Sequence, residues 1–218
     1  MNKMIDEQKL IIILRGIAKE KIPKIVKALY DGGARIIEVT FDQKDENTLA
    51  DTAEKIRLMK KTVGEDLLVG AGTVLTLPQV EAARAAGAEF IISPSTDVSV
   101  IKRTKELGML SIPGAFTPTE IMTAYNAGAD YVKLFPITKE DIGYLKNISA
   151  PISHVPFICT GGVNPDTIEL FLNNGAAALG TGASILKKEL IEKEDYAEIT
   201  RLTRLHFDKI NEATERNG

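Results

Sequence analysis

Five times along the chain a helical stretch ends in glycine and is followed at once by a short β-rich run. This phrase limits the available folds more than any other feature of the sequence. It reads Gly33-Ala34 before Arg35-Ile36-Ile37-Glu38-Val39, Gly87-Ala88 before Phe90-Ile91-Ile92, and Gly108 before Met109-Leu110-Ser111-Ile112. It returns as Gly128-Ala129 before Tyr131-Val132-Lys133-Leu134-Phe135 and as Gly175-Ala176 before Ala177-Ala178-Leu179. A glycine just past a helix supplies the left-handed residue that ends it. Short, apolar runs are the strands of a parallel sheet covered on both faces. Each phrase is therefore one αβ unit.

Gly87, Gly108 and Gly128 follow one another at intervals of about 20 residues, and the wider gaps on either side each fit two units. The strands that fill them are expected at 67–69 and 155–159, and residues 10–14 supply one more at the front. Amphipathic segments at 22–30, 77–86, 98–107 and 165–173 separate the strands, and 195–210 carries Ile199, Leu202, Leu205 and Ile210 at helical spacing. Eight βα units in this length predict an α/β fold, a single (β/α)8 TIM barrel over residues 1–218 with an N-terminal helical extension. A doubly wound open sheet is the alternative, but no Gly-x-Gly-x-x-Gly turn follows the first strand.

Composition narrows the function. The 218 residues are 44% hydrophobic, enough for one substantial core. Twenty-seven basic and 30 acidic residues are interspersed with a net charge of -3, so neither nucleic acid nor an anionic membrane is an expected partner. A lone Cys159 with His154 and His206 is a poor set of metal ligands and points to a reducing compartment. Cys159 is expected to pack as a small apolar residue, and both histidines to lie on the surface. The apolar run at 10–14 is too short for a signal or a membrane span, so a cytoplasmic protein without metal or cofactor is expected.

Charged residues inside covered strands need a reason. Alternation along 36–41 puts Ile37, Val39 and Phe41 on one face and Ile36, Glu38 and Thr40 on the other. The wholly apolar face should meet the helices, which points Glu38 into the barrel near its C-terminal end. The same reasoning turns Val132 and Leu134 outward and Tyr131, Lys133 and Phe135 inward. An isolated buried ammonium costs several kcal/mol unless it is paired or neutral, and a neutral lysine is a nucleophile. A structural Glu38–Lys133 ion pair is the competing explanation.

Other polar or turn-forming positions gather at the same strand ends. Arg15 follows strand one, Thr73 ends Gly70-Ala71-Gly72-Thr73, and Ser93-Pro94-Ser95 follows strand four; Pro113-Gly114 follows strand five. In Thr160-Gly161-Gly162-Val163-Asn164-Pro165, Asn164 suits an N-cap and Pro165 the first helical position. With Gly180-Thr181-Gly182 after the last strand, these loops match the phosphate site that barrels often build from their seventh and eighth loops. Packing of glycine loops is the simpler explanation.

In this order, Ile37-Glu38-Val39-Thr40, Gly70-Ala71-Gly72-Thr73-Val74, Ile92-Ser93-Pro94 and Ile112-Pro113-Gly114 resemble one known family. Val132-Lys133-Leu134-Phe135-Pro136 and Thr160-Gly161-Gly162-Val163 complete the resemblance, which is to the 2-keto-3-deoxy-6-phosphogluconate (KDPG) aldolase family. That family includes 4-hydroxy-2-oxoglutarate and phosphogalactonate-specific aldolases. The resemblance implies a metal-free, homotrimeric class I aldolase acting on a phosphorylated 2-keto acid, with Lys133 as the Schiff-base lysine and Glu38 as acid and base. It places Arg15, Thr73 and Pro94 around the keto acid and the loops at Gly161, Gly162, Gly180 and Gly182 around the distal phosphate, with Phe135 and Thr160 also among the substrate-binding residues. Two positions depart from the pattern: Asp42 stands where the phosphogluconate enzymes typically carry a carboxylate-binding arginine, and Ala183 where a serine often follows the second glycine. The alternatives are a phosphogalactonate aldolase, a phosphate-binding isomerase or synthase, and a barrel without aldolase activity.

Overall fold

The computed structural model describes residues 2–216; Met1, Asn217 and Gly218 of the expected span lie outside the described residues. Among the described residues, nine strands form one parallel sheet: β1 (Leu10–Leu14), β2 (Ile36–Thr40), β3 (Leu68–Gly72), β4 (Phe90–Ile92), β5 (Leu110–Ile112), β6 (Gly114–Ala115), β7 (Val132–Leu134), β8 (Phe157–Thr160) and β9 (Ala176–Thr181). Their order is β5-β4-β3-β2-β1-β9-β8-β7-β6. The two ends of this order are consecutive in sequence, separated only by Pro113, so the sheet curls onto itself as an eight-position barrel. Proline has no N–H to donate, so the expected fifth strand ends at Ile112, and the sheet resumes beyond Pro113 as the short β6. The ladder survives the break, because the Pro113 carbonyl accepts the Lys133 N–H at 2.9 Å.

The helices cover the outside of the barrel. Each of α2 (Ile22–Asp31), α3 (Thr48–Val63), α4 (Leu77–Ala85), α5 (Val98–Glu106), α6 (Pro118–Asn126), α7 (Ile142–Ser149), α8 (Ile168–Asn173) and α9 (Lys188–Glu192) follows the C-terminal end of a strand, and the long α10 (Tyr196–Glu215) follows α9. The expected alternation separates two cores. Leu10, Ile12, Leu14, Ile37, Val39, Val132 and Leu134 pack outward against the helices. Ile11, Ile36, Leu68, Phe90, Ile92, Ile112, Tyr131 and Ile158 fill the interior.

The N-terminal helix α1 (Lys3–Gln8) closes the bottom of this interior. Its Ile5 is fully buried in the inner core. Tyr131 donates its hydroxyl hydrogen to Asp6 at 2.7 Å and accepts the Asn2 N–H at 2.9 Å. Apolar side chains and this plug exclude water from the lower barrel, so Glu38 and Lys133, one layer higher, stand on a dry floor.

Two sequence expectations are corrected. Asn164 and Pro165 do not start a helix; α8 begins at Ile168. Asn164 instead folds its own loop, its side chain accepting the Asp166 N–H at 2.9 Å while its carbonyl accepts the Thr167 and Ile168 N–H groups. Asparagine's short acceptor serves a turn as well as a cap. His206 is not a surface residue: it is fully buried on the apolar face of α10 with Ile199, Leu202 and Ile210. His154 is exposed and meets Tyr125 edge to face, and Cys159 is buried with its thiol pushed up to about 12 by desolvation.

Candidate active site

Glu38 on β2 and Lys133 on β7 both project into the barrel and are nearly inaccessible, at 2% and 7% exposure. They make no ion pair or hydrogen bond with each other, and Glu38 Oε2 is buried without any hydrogen-bond partner. This absence weighs against the purely structural ion pair, which would need direct contact to offset desolvation. Lys133 Nζ instead lies 4.6 Å from the centre of the Phe135 ring.

The two groups shift each other's protons only in part. Burial raises the Glu38 carboxyl from 4.5 to about 7, opposed by the charges of Lys133 and Arg15. Burial also lowers the Lys133 ammonium pKa; Glu38 opposes that shift and Arg15 adds to it. Both shifts favour the uncharged forms. The outcome is an amine that can act as a nucleophile beside a carboxyl that can give or take a proton near neutrality.

Glycines make the room. A Cβ on Gly72 would lie 2.5 Å from Glu38 Oε2, and one on Gly180 would lie 2.6 Å from Thr160 Oγ1. A cavity of about 500 Å³ opens over Lys133, lined by Ile13, Arg15, Phe135, Thr160, Gly182, Ala183 and Leu186. A second cavity, of about 390 Å³, shares Ile13, Thr160, Gly182 and Ala183 with it and extends over Gly161, Gly162, Val163, Gly180 and Ser184. The two together form a cleft running from the amine to the glycine loops.

Arg15 stands at the mouth and donates from Nη2 to Thr73 Oγ1 at 3.2 Å. Thr73 is held at φ 57, in the left-handed region, and its carbonyl accepts from Gln43 at 2.8 Å. Gln43 in turn accepts from buried Gln79 at 2.9 Å. Arg15 and Thr73 also border a cavity of about 690 Å³ that includes Asp42. Asp42 is committed to its own loop, accepting the Lys44 N–H on its carboxylate at 3.0 Å and donating its own N–H to Thr48 Oγ1 at 3.0 Å.

Most of the sequence-predicted residues therefore meet in one cleft. Glu38, Thr73, Pro94, Gly161, Gly162 and Gly180 do not line the Lys133 cavity itself; Thr73 borders the cavity that includes Asp42, and Gly161 and Gly162 border the glycine-loop cavity. Gly180 borders the glycine-loop cavity, and the Pro94 backbone packs on Gly114, the register partner of Lys133. Sequence reasoning missed the supporting side chains Gln43, Gln79, Ser184 and His206, and named Thr181 only as part of Gly180-Thr181-Gly182. Of these, only His206 left a signal, its place on the apolar stripe of the final helix.

Among the described residues no cluster of histidine, cysteine, aspartate and glutamate could hold a metal ion, and no helix is long and apolar enough to cross a membrane.

Comparison with known proteins gives the family. Residues 1–202 match the model of the family described as KDPG and KHG aldolase. The 2-dehydro-3-deoxy-6-phosphogalactonate aldolase of Escherichia coli K12 is 32% identical over 82% of this chain and 84% of its own length. The KHG/KDPG aldolase of the same organism is 33% identical over 83% and 82%. A KDPG aldolase from Legionella pneumophila, solved with pyruvate captured as a covalent carbinolamine, superposes with a TM-score of 0.81 at 28% identity, over 92% of this chain and 95% of that one. The chain belongs to the KDPG and KHG aldolase family.

Proposed function

We propose that this protein is a class I aldolase that cleaves KDPG, or a related 2-keto-4-hydroxy acid such as 4-hydroxy-2-oxoglutarate, to pyruvate and an aldehyde. The aldehyde is glyceraldehyde 3-phosphate or glyoxylate, according to the substrate. The observation that carries this reading is the inward, uncontacted pair of Lys133 and Glu38, each shifted by burial towards its neutral form.

Neutral Lys133 adds to the C2 ketone, and Glu38 protonates the departing water of the carbinolamine. The resulting iminium withdraws electrons from the C3–C4 bond. Removal of the C4 hydroxyl proton by Glu38 breaks that bond, releases the aldehyde and leaves an enamine. Protonation at C3 and hydrolysis give pyruvate and the free amine. Arg15 and Thr73 suit the keto-acid carboxylate at the mouth, with Phe135 and Pro94 bounding the apolar side. Thr160, Gly161, Gly162, Gly180 and Gly182 suit a distal phosphate held by loop amides; the helix-terminus contribution expected from Asn164 and Pro165 is not part of this reading.

A phosphogalactonate preference is the second reading, favoured by Asp42 in place of an arginine and by the Escherichia coli relative named for that substrate. Pyruvate release, assayed with the phosphogluconate and phosphogalactonate epimers and with 4-hydroxy-2-oxoglutarate, tests the function and ranks the substrates. Release from none of them would overturn it.

The assembly we propose is a homotrimer in the cytoplasm. Exposed Leu49, Leu75, Leu77, Val98 and Phe116 support association, since all sit at or beside the starts of α3 to α6 on one sector of the catalytic rim. Light scattering at working concentration reads the trimer directly.

A further inference from the structure

His206 is a buried titratable side chain that the reaction does not use, and it is bonded at both ring nitrogens. Nδ1 lies 2.8 Å from the Leu202 carbonyl and Nε2 lies 2.8 Å from Ser184 Oγ. Ser184 Oγ lies 2.8 Å from Thr181 Oγ1, which donates to the Val163 carbonyl at 3.0 Å. The chain of contacts thus runs from the final helix, through Ser184 in the loop after β9 and Thr181 at the end of β9, to the loop after β8.

Donor counting fixes its direction. A carbonyl only accepts, so Nδ1 carries the hydrogen and, in the neutral ring, Nε2 accepts the Ser184 hydroxyl hydrogen. Burial lowers the pKa of His206, which favours that neutral ring. The single hydrogen of Thr181 then serves both Ser184 and Val163. Ser184 has no hydrogen left to give a ligand, although it borders the cavity over the glycine loops.

We infer that His206 is the positioning residue of the distal pocket, holding the loop after β9 against the loop after β8 through Ser184 and Thr181. This rests on the reading of that pocket as the phosphate site. Its backbone amides can grip an anion only while the two loops keep their spacing, and this side-chain chain spans them. The geometry is rigid at its far end as well: a Cβ on Gly182 would lie 2.5 Å from the Ile13 carbonyl, and one on Gly161 the same distance from the Ile137 carbonyl.

The test compares a phosphorylated substrate, 4-hydroxy-2-oxoglutarate, which carries no phosphate, and inorganic phosphate as a competitive inhibitor. In wild type, phosphate should inhibit, and KM should be lower for the phosphorylated substrate. His206→Leu and Ser184→Ala should each raise that KM and the phosphate inhibition constant roughly 3- to 10-fold, the worth of a lost hydrogen bond. Neither should move kcat, or either constant for 4-hydroxy-2-oxoglutarate, by more than about twofold. His206→Gln, which presents an amide near the Nε2 position, should recover most of the loss. Ser184→Ala decides the matter if His206→Leu fails to fold. Equal losses on both substrates, or no change on either, would overturn the inference. If wild-type enzyme is indifferent to phosphate, the distal-anion reading itself fails before any substitution is made, and the role of His206 falls with it.

Discussion

Gly72 leaves the space that the Glu38 carboxyl occupies, for a methyl group on Gly72 would sit 2.5 Å from Oε2 and 2.7 Å from Oε1. Gly72 is not in the left-handed region, so the backbone accepts alanine and only the carboxyl must move. Gly72→Ala should therefore fold, with a melting temperature within a few degrees of wild type. Its kcat/KM should fall by at least about tenfold, because a displaced acid–base group misses the reacting proton. Wild-type turnover in this variant would show that the position of Glu38 does not matter.

Glu38 gives a prediction of opposite sign for stability and activity. Its folded-state value of about 7 exceeds the 4.5 of a free glutamate, so the native state binds this proton more tightly than the unfolded chain. That contribution is fully present below about pH 4.5 and is lost as the pH rises to about 7. Glu38→Gln cannot ionise and escapes the loss. In urea titrations it should match wild type near pH 4 and exceed it at pH 8 by on the order of 3 kcal/mol. Its kcat should drop roughly 10²- to 10⁴-fold. A variant less stable at pH 8, or fully active, would return Glu38 to a structural role.

Strand parity made Glu38 and Lys133 legible in the sequence, because a period of two leaves no choice once the apolar face of 36–41 is assigned to the helices. The barrel was legible for a similar reason, since each glycine that ends a helix starts a strand. Longer-range choices were not. Pro113 reads as a turn residue after strand five, yet the sheet continues through its carbonyl. Asn164-Pro165 fits a helix start, but the Thr167 hydroxyl takes the Asn164 N–H at 3.0 Å and delays the helix by three residues. Thr181 ends β9 and Ser184 sits in the loop after it, and neither stands out until His206, some 20 positions later on another element, is brought against Ser184.

Asp42 borders the cavity shared with Arg15 but spends its carboxylate on the Lys44 amide. An arginine there would add a charge-assisted contact to the substrate carboxylate, worth on the order of 1.5 to 3 kcal/mol. Asp42→Arg should raise kcat/KM for KDPG by about tenfold or more and lower the melting temperature slightly, as the loop tie is lost. Loss of activity on both epimers and on 4-hydroxy-2-oxoglutarate would instead make Asp42 itself a specificity residue.

Imine chemistry on Lys133 needs no divalent ion. Prolonged treatment with EDTA should leave the cleavage rate unchanged. Inactivation reversed by added metal would move the protein to metal-dependent aldol chemistry.

The central claim is that Lys133 is the covalent nucleophile, and trapping with pyruvate and sodium borohydride tests it most directly. Reduction fixes the imine, and peptide mapping locates it. The account predicts loss of activity that follows formation of one stable adduct on the peptide containing Lys133, with no adduct in Lys133→Arg. An adduct on another lysine, or none in protein that remains active on its substrate, would contradict it.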